Sequence, residues 1–489
     1  FASSGRIPAE ASIDIPPAGS VALKAQLALY IGGEWLGSEG RETVHPLNPA
    51  TGERIADIPV TTPQQVDQMV ARAAEGQKVW AAMSATERGR ILRRTSDLLR
   101  ERNDDLARIE TRNTGKPIQE TAAVDITSGA DCLEYYGGVA ATIAGQYLDL
   151  GPAAFGYTRR EPLGVVAGLG AWNYPMQIAC WKAAPALACG NAIIFKPAEQ
   201  TPMTAIELAG IFTEAGLPDG VFQVAQGYGE TGQALIGHPG IAKASLTGSV
   251  ETGRLVMERA ARGLKPVTLE LGGKSPMIVF DDANLDNAVS GAMMGNFYST
   301  GQICSNGTRV FVQRGVLKAF LEKLIARTKK LKIGDPFDPE THIGPLITQG
   351  QMEMVMGHIG RARREGVKLI HGGDRLTGGE YDRGFYVEPT IFQAEDDSAA
   401  IVRDEVFGPV MLVLPFDDEE EALTRANATE YGLAAGVFTN DLNRAHRVVD
   451  QLQAGDVDTA YAIQEINTAR ALAEGRRLVG RKIGLTSQK

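Results

Sequence analysis

Between residues 163 and 271 short apolar runs alternate with helix-length patterns, and this alternation constrains the fold more than any other feature. Apolar runs at 163–169, 191–195, 220–224, 241–246 and 266–271 read as buried strands, separated by helical patterns at roughly 176–189, 202–215, 230–237 and 252–263. Strands and helices alternating at this spacing predict a parallel, doubly wound sheet with the helices as crossovers. The expected class is α/β. Ligands of such sheets bind beyond the carboxyl ends of the strands, so chemistry is sought there. A second α/β stretch, roughly 275–455, offers Ser275–Phe280 and Val410–Phe416 as further strands.

The 489 residues suit two or three domains. Residues 1–27, rich in Ala, Pro and Ser, read as a loose extension, and regular structure is expected from Leu29. Two capping boxes announce helices: Thr62-Pro63 with Gln65, and Ser84 with Glu87. In the second helix Ile91, Leu92, Leu98 and Leu99 are expected to face inward. The charge of −10, without a basic run, excludes a nucleic-acid backbone binder. The longest apolar runs, such as Pro409–Phe416, fall far short of the roughly 20 residues that span a bilayer. No signal peptide is readable at the N-terminus. Four cysteines (132, 180, 189 and 304) without a C-x-x-C pair make no disulfide framework, which fits the reducing cytoplasm. No metal site is expected.

Several motifs fall at predicted strand ends. Gly227-Tyr-Gly229-Glu-Thr-Gly232 matches G-x-G-x-x-G, which suits either a dinucleotide or a plain tight turn. Thr247-Gly248-Ser249 places small residues where a strand gives way to a helix, and bare N–H groups there could receive a pyrophosphate. Gly272-Gly273-Lys274-Ser275 imitates a P-loop, but Thr268 stands where its first Gly is required. Lys196 and Glu199 follow a strand. They suit a nucleotide ribose, with the carboxylate disfavouring a 2′-phosphate, or a solvated surface pair. Cys304 lies in a small, polar, turn-like setting, whereas Cys132, Cys180 and Cys189 sit in apolar helical stretches as core residues. Glu270 closes an apolar strand, where burial would favour its neutral form and suit it to general-base work. Asn173, just past another strand, could offer its amide to an oxyanion.

Taken together, Trp172-Asn173-Tyr174-Pro175, Lys196-Pro197, Thr247-Gly248-Ser249, Glu270-Leu-Gly-Gly-Lys274, Gly301-Gln-Ile-Cys304 and Glu405-Val-Phe407-Gly-Pro resemble, in order and spacing, the NAD(P)-dependent aldehyde dehydrogenase superfamily. Segments around Tyr157, Pro185 and Cys304 look most like its betaine aldehyde and 4-trimethylaminobutyraldehyde branch. The resemblance implies an NAD-binding domain (29–141 and 163–269), a bridging and oligomerisation hairpin (142–162) and a catalytic domain (270–455). It implies that Cys304 attacks the aldehyde, that Asn173 and the Cys304 N–H hold the oxyanion, and that Glu270 activates the hydrolytic water. Lys196 and Glu199 would hold the adenosine ribose of NAD (NADP is the less expected cofactor) and Ser249 beside Gly248 the pyrophosphate. Glu405 and Phe407 would position the nicotinamide side. The glycines at 227–232, Gly229 among them, line the adenine side at most. Tyr174 and Trp181, seven apart on one predicted helix, with Tyr298 nearby, could cage a trimethylammonium group or simply pack in the core. The family implies a small-molecule aldehyde as substrate and a homodimer or homotetramer. The alternatives are a broad aliphatic aldehyde dehydrogenase and a fused NAD-binding chain with little activity.

After Gly455 the family pattern is expected to stop. Residues 456–489 look similar to the start of a 2-oxopent-4-enoate hydratase and carry no expected hydratase activity. With the family's last segment and its oligomerisation strand replaced, impaired activity and weakened assembly are the expectation.

Overall fold

The computed structural model describes residues 29–36 and 40–453, so the expected extension and the tail lie outside the described residues. The chain forms two compact units that meet in sequence at Glu270–Leu271.

The first unit is built on a seven-stranded sheet. Its strands are β1 (Leu29–Ile31), β2 (Glu34–Leu36), β3 (Val165–Leu169), β4 (Ala192–Lys196), β5 (Phe222–Val224), β6 (Ile241–Thr247) and β7 (Val267–Glu270). They lie in the order β7-β6-β3-β4-β5-β1-β2, and all neighbours from β7 to β5 are parallel. The chain therefore winds outward from β3 through β4 and β5, then returns to β3's other side for β6 and β7. That reversal makes a topological switch point between β3 and β6. The predicted strands and crossovers are present. β1 and β2, three residues each and antiparallel, were not foreseen.

Helices α1 (Pro63–Ala82) and α2 (Ala85–Glu101) begin at the expected boxes, each reciprocal: Thr62 with Gln65 and Ser84 with Glu87. Leu92, Leu98 and Leu99 are buried as expected, while Ile91 is only half-buried. Helix α3 (Asn103–Thr114) ends on Gly115, whose φ of 76° is the left-handed cap glycine favours. A π-helical turn, Thr121–Asp125, runs into α4 (Ile126–Val139). The crossovers are α5 (Pro175–Ala188), α6 (Met203–Glu214), α7 (Gly229–Gly237) and α8 (Val250–Ala261). The fully buried Trp80 ties α1 to α5 by donating its indole N–H to the Leu187 carbonyl at 2.8 Å. Cys180 is buried in α5, but Cys189, expected in the core, is exposed because it caps that helix's end; Cys132 is half-buried. A separate antiparallel hairpin pairs Tyr147–Asp149 with Phe155–Tyr157.

The second unit carries a six-stranded sheet of β8 (Pro276–Val279), β9 (Arg309–Gln313), β10 (Lys368–His371), β11 (Thr390–Gln393), β12 (Val410–Phe416) and β13 (Gly436–Phe438). The order is β10-β11-β12-β9-β8-β13, parallel except for β10. All seven residues of β12 are buried, as an unbroken apolar run in an inner strand requires. Among the described residues no helix is long and apolar enough to cross a membrane.

Candidate active site

In the first unit the candidate residues converge on the carboxyl ends of the strands around the switch point. Gly170 to Asn173 follow β3, Lys196 ends β4, Gly248 and Ser249 follow β6, and Glu270 ends β7. The pairings Leu169↔Lys196, Leu169↔Leu246 and Thr247↔Glu270 bring these ends level. Gly248 donates its N–H to the Glu270 carbonyl at 2.9 Å. Ser249 is exposed and caps α8, its hydroxyl accepting from Thr252 N–H at 3.2 Å, so the positive end of α8 opens at the crevice. Lys196 is buried, donates to the Pro197 carbonyl at 2.9 Å and stands 3.6 Å from the Glu199 carboxylate. Burial pushes its pKa down, with Glu199 opposing. This is no solvated surface pair. Gly229 opens α7 with free space where a Cβ would point. The open glycine, the helix end and the lysine–carboxylate pair suit a dinucleotide.

Two expectations need correction here. Glu270 is half-buried, not buried, because β7 is the edge strand of its sheet. Tyr174 does not share a helix with Trp181: it is the N-cap of α5, with an extended φ of −139°, while Trp181 lies half-buried within the helix. Its ring is also already engaged, with Lys116 Nζ 3.3 Å from the ring centroid.

Two arrangements of charge, one of them fully buried, were not read from the sequence. Lys116 donates to Asp125 at 2.6 Å and to the Asn173 carbonyl at 3.3 Å. Glu110, beside them, accepts from Met176 N–H at 3.3 Å, and burial first, then the charge of Asp125, raises its pKa to about 8. Lys182 of α5 donates to the Ser245 hydroxyl at 3.0 Å. It is partly exposed, yet desolvation pushes its pKa down to about 7, against the attraction of Glu270.

In the second unit Cys304 sits in a turn that only a crowded backbone explains. Ser299 and Thr300 have φ of 50° and 53°, Gly301 72°, and Phe407 52°. Left-handed φ at non-glycine residues is costly and gathers at functional sites. Side chains brace the turn: Thr300 Oγ1 donates to the Gly344 carbonyl, Asn306 Nδ2 to that of Gly301, and Gln302 accepts from Ile347 N–H. Gln351 Nε2 holds the Phe407 carbonyl at 2.8 Å. Arg309, nearly fully buried, spends its guanidinium on the carbonyls of Lys274, Arg425 and Ala426. The glycine pair has a steric reason. A Cβ at Gly272 would collide with the Glu405 carboxylate, and one at Gly273 with the Cys304 carbonyl. Gly273 N–H donates to Glu405 Oε1 at 2.9 Å, and burial raises the Glu405 pKa. Cys304, Glu405 and Phe407 are thus linked through one backbone cluster; Tyr298, half-buried, starts the same turn.

The aldehyde dehydrogenase family model matches residues 35–471. The chain belongs to the aldehyde dehydrogenase family. The match runs past Gly455, where the motifs alone end the pattern. A betaine aldehyde dehydrogenase of Mesorhizobium japonicum is 56% identical over 426 residues, 87% of each chain. The NAD+ complex of an aldehyde dehydrogenase from Bacillus cereus superposes with a TM-score of 0.87 at 37% identity, covering 92% of each chain. An E. coli enzyme described as NADP-dependent gives 0.85 at 38% identity, covering 88% of this chain and 89% of its own. As an aldehyde dehydrogenase the chain is an enzyme, an oxidoreductase of small-molecule aldehydes with the family's two α/β sheets.

Proposed function

We propose that this aldehyde dehydrogenase oxidises betaine aldehyde, or another trimethylammonio- or amino-aldehyde, to its carboxylic acid with NAD. The 56% identity to the Mesorhizobium betaine aldehyde dehydrogenase carries the substrate class. NAD over NADP rests on Glu199, a carboxylate at the strand end that would repel a 2′-phosphate. Lys196 and Glu199 hold the adenosine ribose, Gly248, Ser249 and the end of α8 the pyrophosphate, and Glu405 with Phe407 the nicotinamide ribose and ring; Gly229 leaves room on the adenine side. When bound, the nicotinamide supplies the hydride acceptor.

Cys304 Sγ attacks the aldehyde carbon, and the oxyanion is received by the Asn173 carboxamide and the Cys304 backbone N–H. Loss of hydride leaves an acyl thioester on Cys304. Glu270 takes a proton from the water that cleaves it, releasing the acid and the thiolate. Trp181 and Tyr298 line the path of the substrate's cationic end. Four scattered cysteines that make no disulfide framework suit a cytoplasmic enzyme. The exposed apolar hairpin suits self-association into a homo-oligomer.

One observation favours the broader reading, an enzyme of aliphatic aldehydes: the Tyr174 ring already faces a cation, Lys116. The two readings separate on kcat/KM for betaine aldehyde against 3,3-dimethylbutanal, its uncharged isostere. A cage predicts a preference for the cation of about tenfold or more, lost in Trp181→Ala. Equal kcat/KM for the two aldehydes selects the aliphatic enzyme.

A further inference from the structure

We propose that Lys116, paired with Asp125, is a positioning residue that sets the Asn173 carboxamide for catalysis by clamping the backbone and ring on either side of it. The inference rests on the reading of Asn173 as the oxyanion donor.

The Asn173–Met176 segment joins β3 to α5 and is held from one side by α3 and the turns after it. Lys116 Nζ reaches the Asn173 carbonyl at 3.3 Å and stands 3.3 Å from the Tyr174 ring centroid, while Glu110 takes Met176 N–H. Three of four consecutive residues are thus fixed by two buried side chains. Lys116 is 3% exposed, and Asp125 and Glu110 are 0%. Ions so far from water are poor stabilisers compared with apolar packing, so stability alone does not account for them. Their contacts supply another use, because the Asn173 carbonyl and the Tyr174 ring are what the ammonium touches besides Asp125. The carboxylate itself is delivered by the last residue of the π-helical turn Thr121–Asp125, an irregularity frequent at functional sites.

The test is a mutant cycle on the full chain between the clamp and Asn173, read as kcat and KM for betaine aldehyde and NAD. Lys116→Met with Asp125→Asn removes both charges together and leaves neither buried alone. We expect this pair variant to lose about ten- to a hundredfold in kcat, with KM for NAD unchanged. Asn173→Ala should lose about a hundredfold or more. Adding the pair variant to Asn173→Ala should cost almost nothing further, because the clamp acts through that side chain. Lys116→Arg, which keeps the cation, should recover most of the loss. If the pair variant melts at assay temperature, the cycle is read at a lower temperature where its melting curve shows it folded, with the same expectation. Normal kcat in the clamp variants, or losses that multiply with that of Asn173→Ala, would overturn the clamp. Normal kcat in Asn173→Ala would instead overturn the oxyanion reading beneath it.

Discussion

Burial raises the thiols of Cys132, to about 12, and of Cys180. Both are poor nucleophiles, and their place in the interior was legible because their neighbours are apolar and helical; Cys189 differs because it falls at the helix end and is exposed. Lys182 was not legible. Its partners Ser245 and Glu270 are 63 and 88 positions away, and only the parallel pairing of β3, β6 and β7 brings them to α5. The same holds for Lys116 and Asn173, 57 residues apart. Lys182 carries a pH prediction. Its folded pKa, about 7, is lower than an ordinary lysine's because burial disfavours the charged form. As pH rises through about 7 the amine becomes neutral and able to take a proton passed on from Glu270. We therefore expect kcat to rise through a limb centred near pH 7. Lys182→Met should lose this limb and retain a lower, flatter profile, measured by steady-state NADH formation from pH 5.5 to 9. The stability sign runs the same way. The folded state binds this proton less tightly than the unfolded chain, so this group's contribution grows as pH rises from about 7 towards the ordinary lysine value.

Elements were easier to read than their surroundings. The capping boxes at Thr62 and Ser84 are local chemistry and fall where the sequence places them. β12 matches its apolar run residue for residue. What periodicity could not distinguish was an inner strand from an edge strand. β7 has the composition of a buried strand but closes the sheet, which leaves Glu270 half-buried. β1 and β2 were unreadable for a different reason: three residues show no period, and their place beside β5 depends on a partner more than 190 residues away. The loop after β7 shows how a glycine can be read physically once partners are known. Gly272 is small because the Glu405 carboxylate lies against it. Gly272→Ala must push that carboxylate off Gly273 N–H, and we expect KM for NAD to rise about tenfold, or 1.4 kcal/mol. Melting should shift little, since the loop lies outside the apolar core clusters. An unchanged KM would separate Glu405 from cofactor binding.

At the scale of the whole molecule, six short segments in one order carry the family resemblance: four stand at strand ends that the alternation had already located, whereas those at Cys304 and Glu405 lie in turns outside it. Assembly is harder to read, since nothing in a period shows which apolar residues stay exposed. The hairpin supplies that information. Tyr147, Leu150, Phe155 and Tyr157 are each more than 60% exposed, and Tyr147 stacks on Phe155 with ring centroids 5.8 Å apart. Two strands alone are marginal in water, and open edges with aromatic faces invite pairing. A second copy of the chain is the occupant that fits, because the hairpin offers unpaired backbone on both edges and the same apolar side chains to its own image. Phe155→Glu together with Tyr157→Glu places charges in that aromatic face, since the register sets both on the side of Tyr147, without touching either large sheet or any residue assigned to NAD or aldehyde. We expect light scattering after gel filtration to show a smaller assembly for this variant than for the parent at the same concentration, with its melting curve intact if the hairpin serves assembly alone. A mass equal to the parent's would remove the hairpin from the interface and leave its aromatic face to another partner.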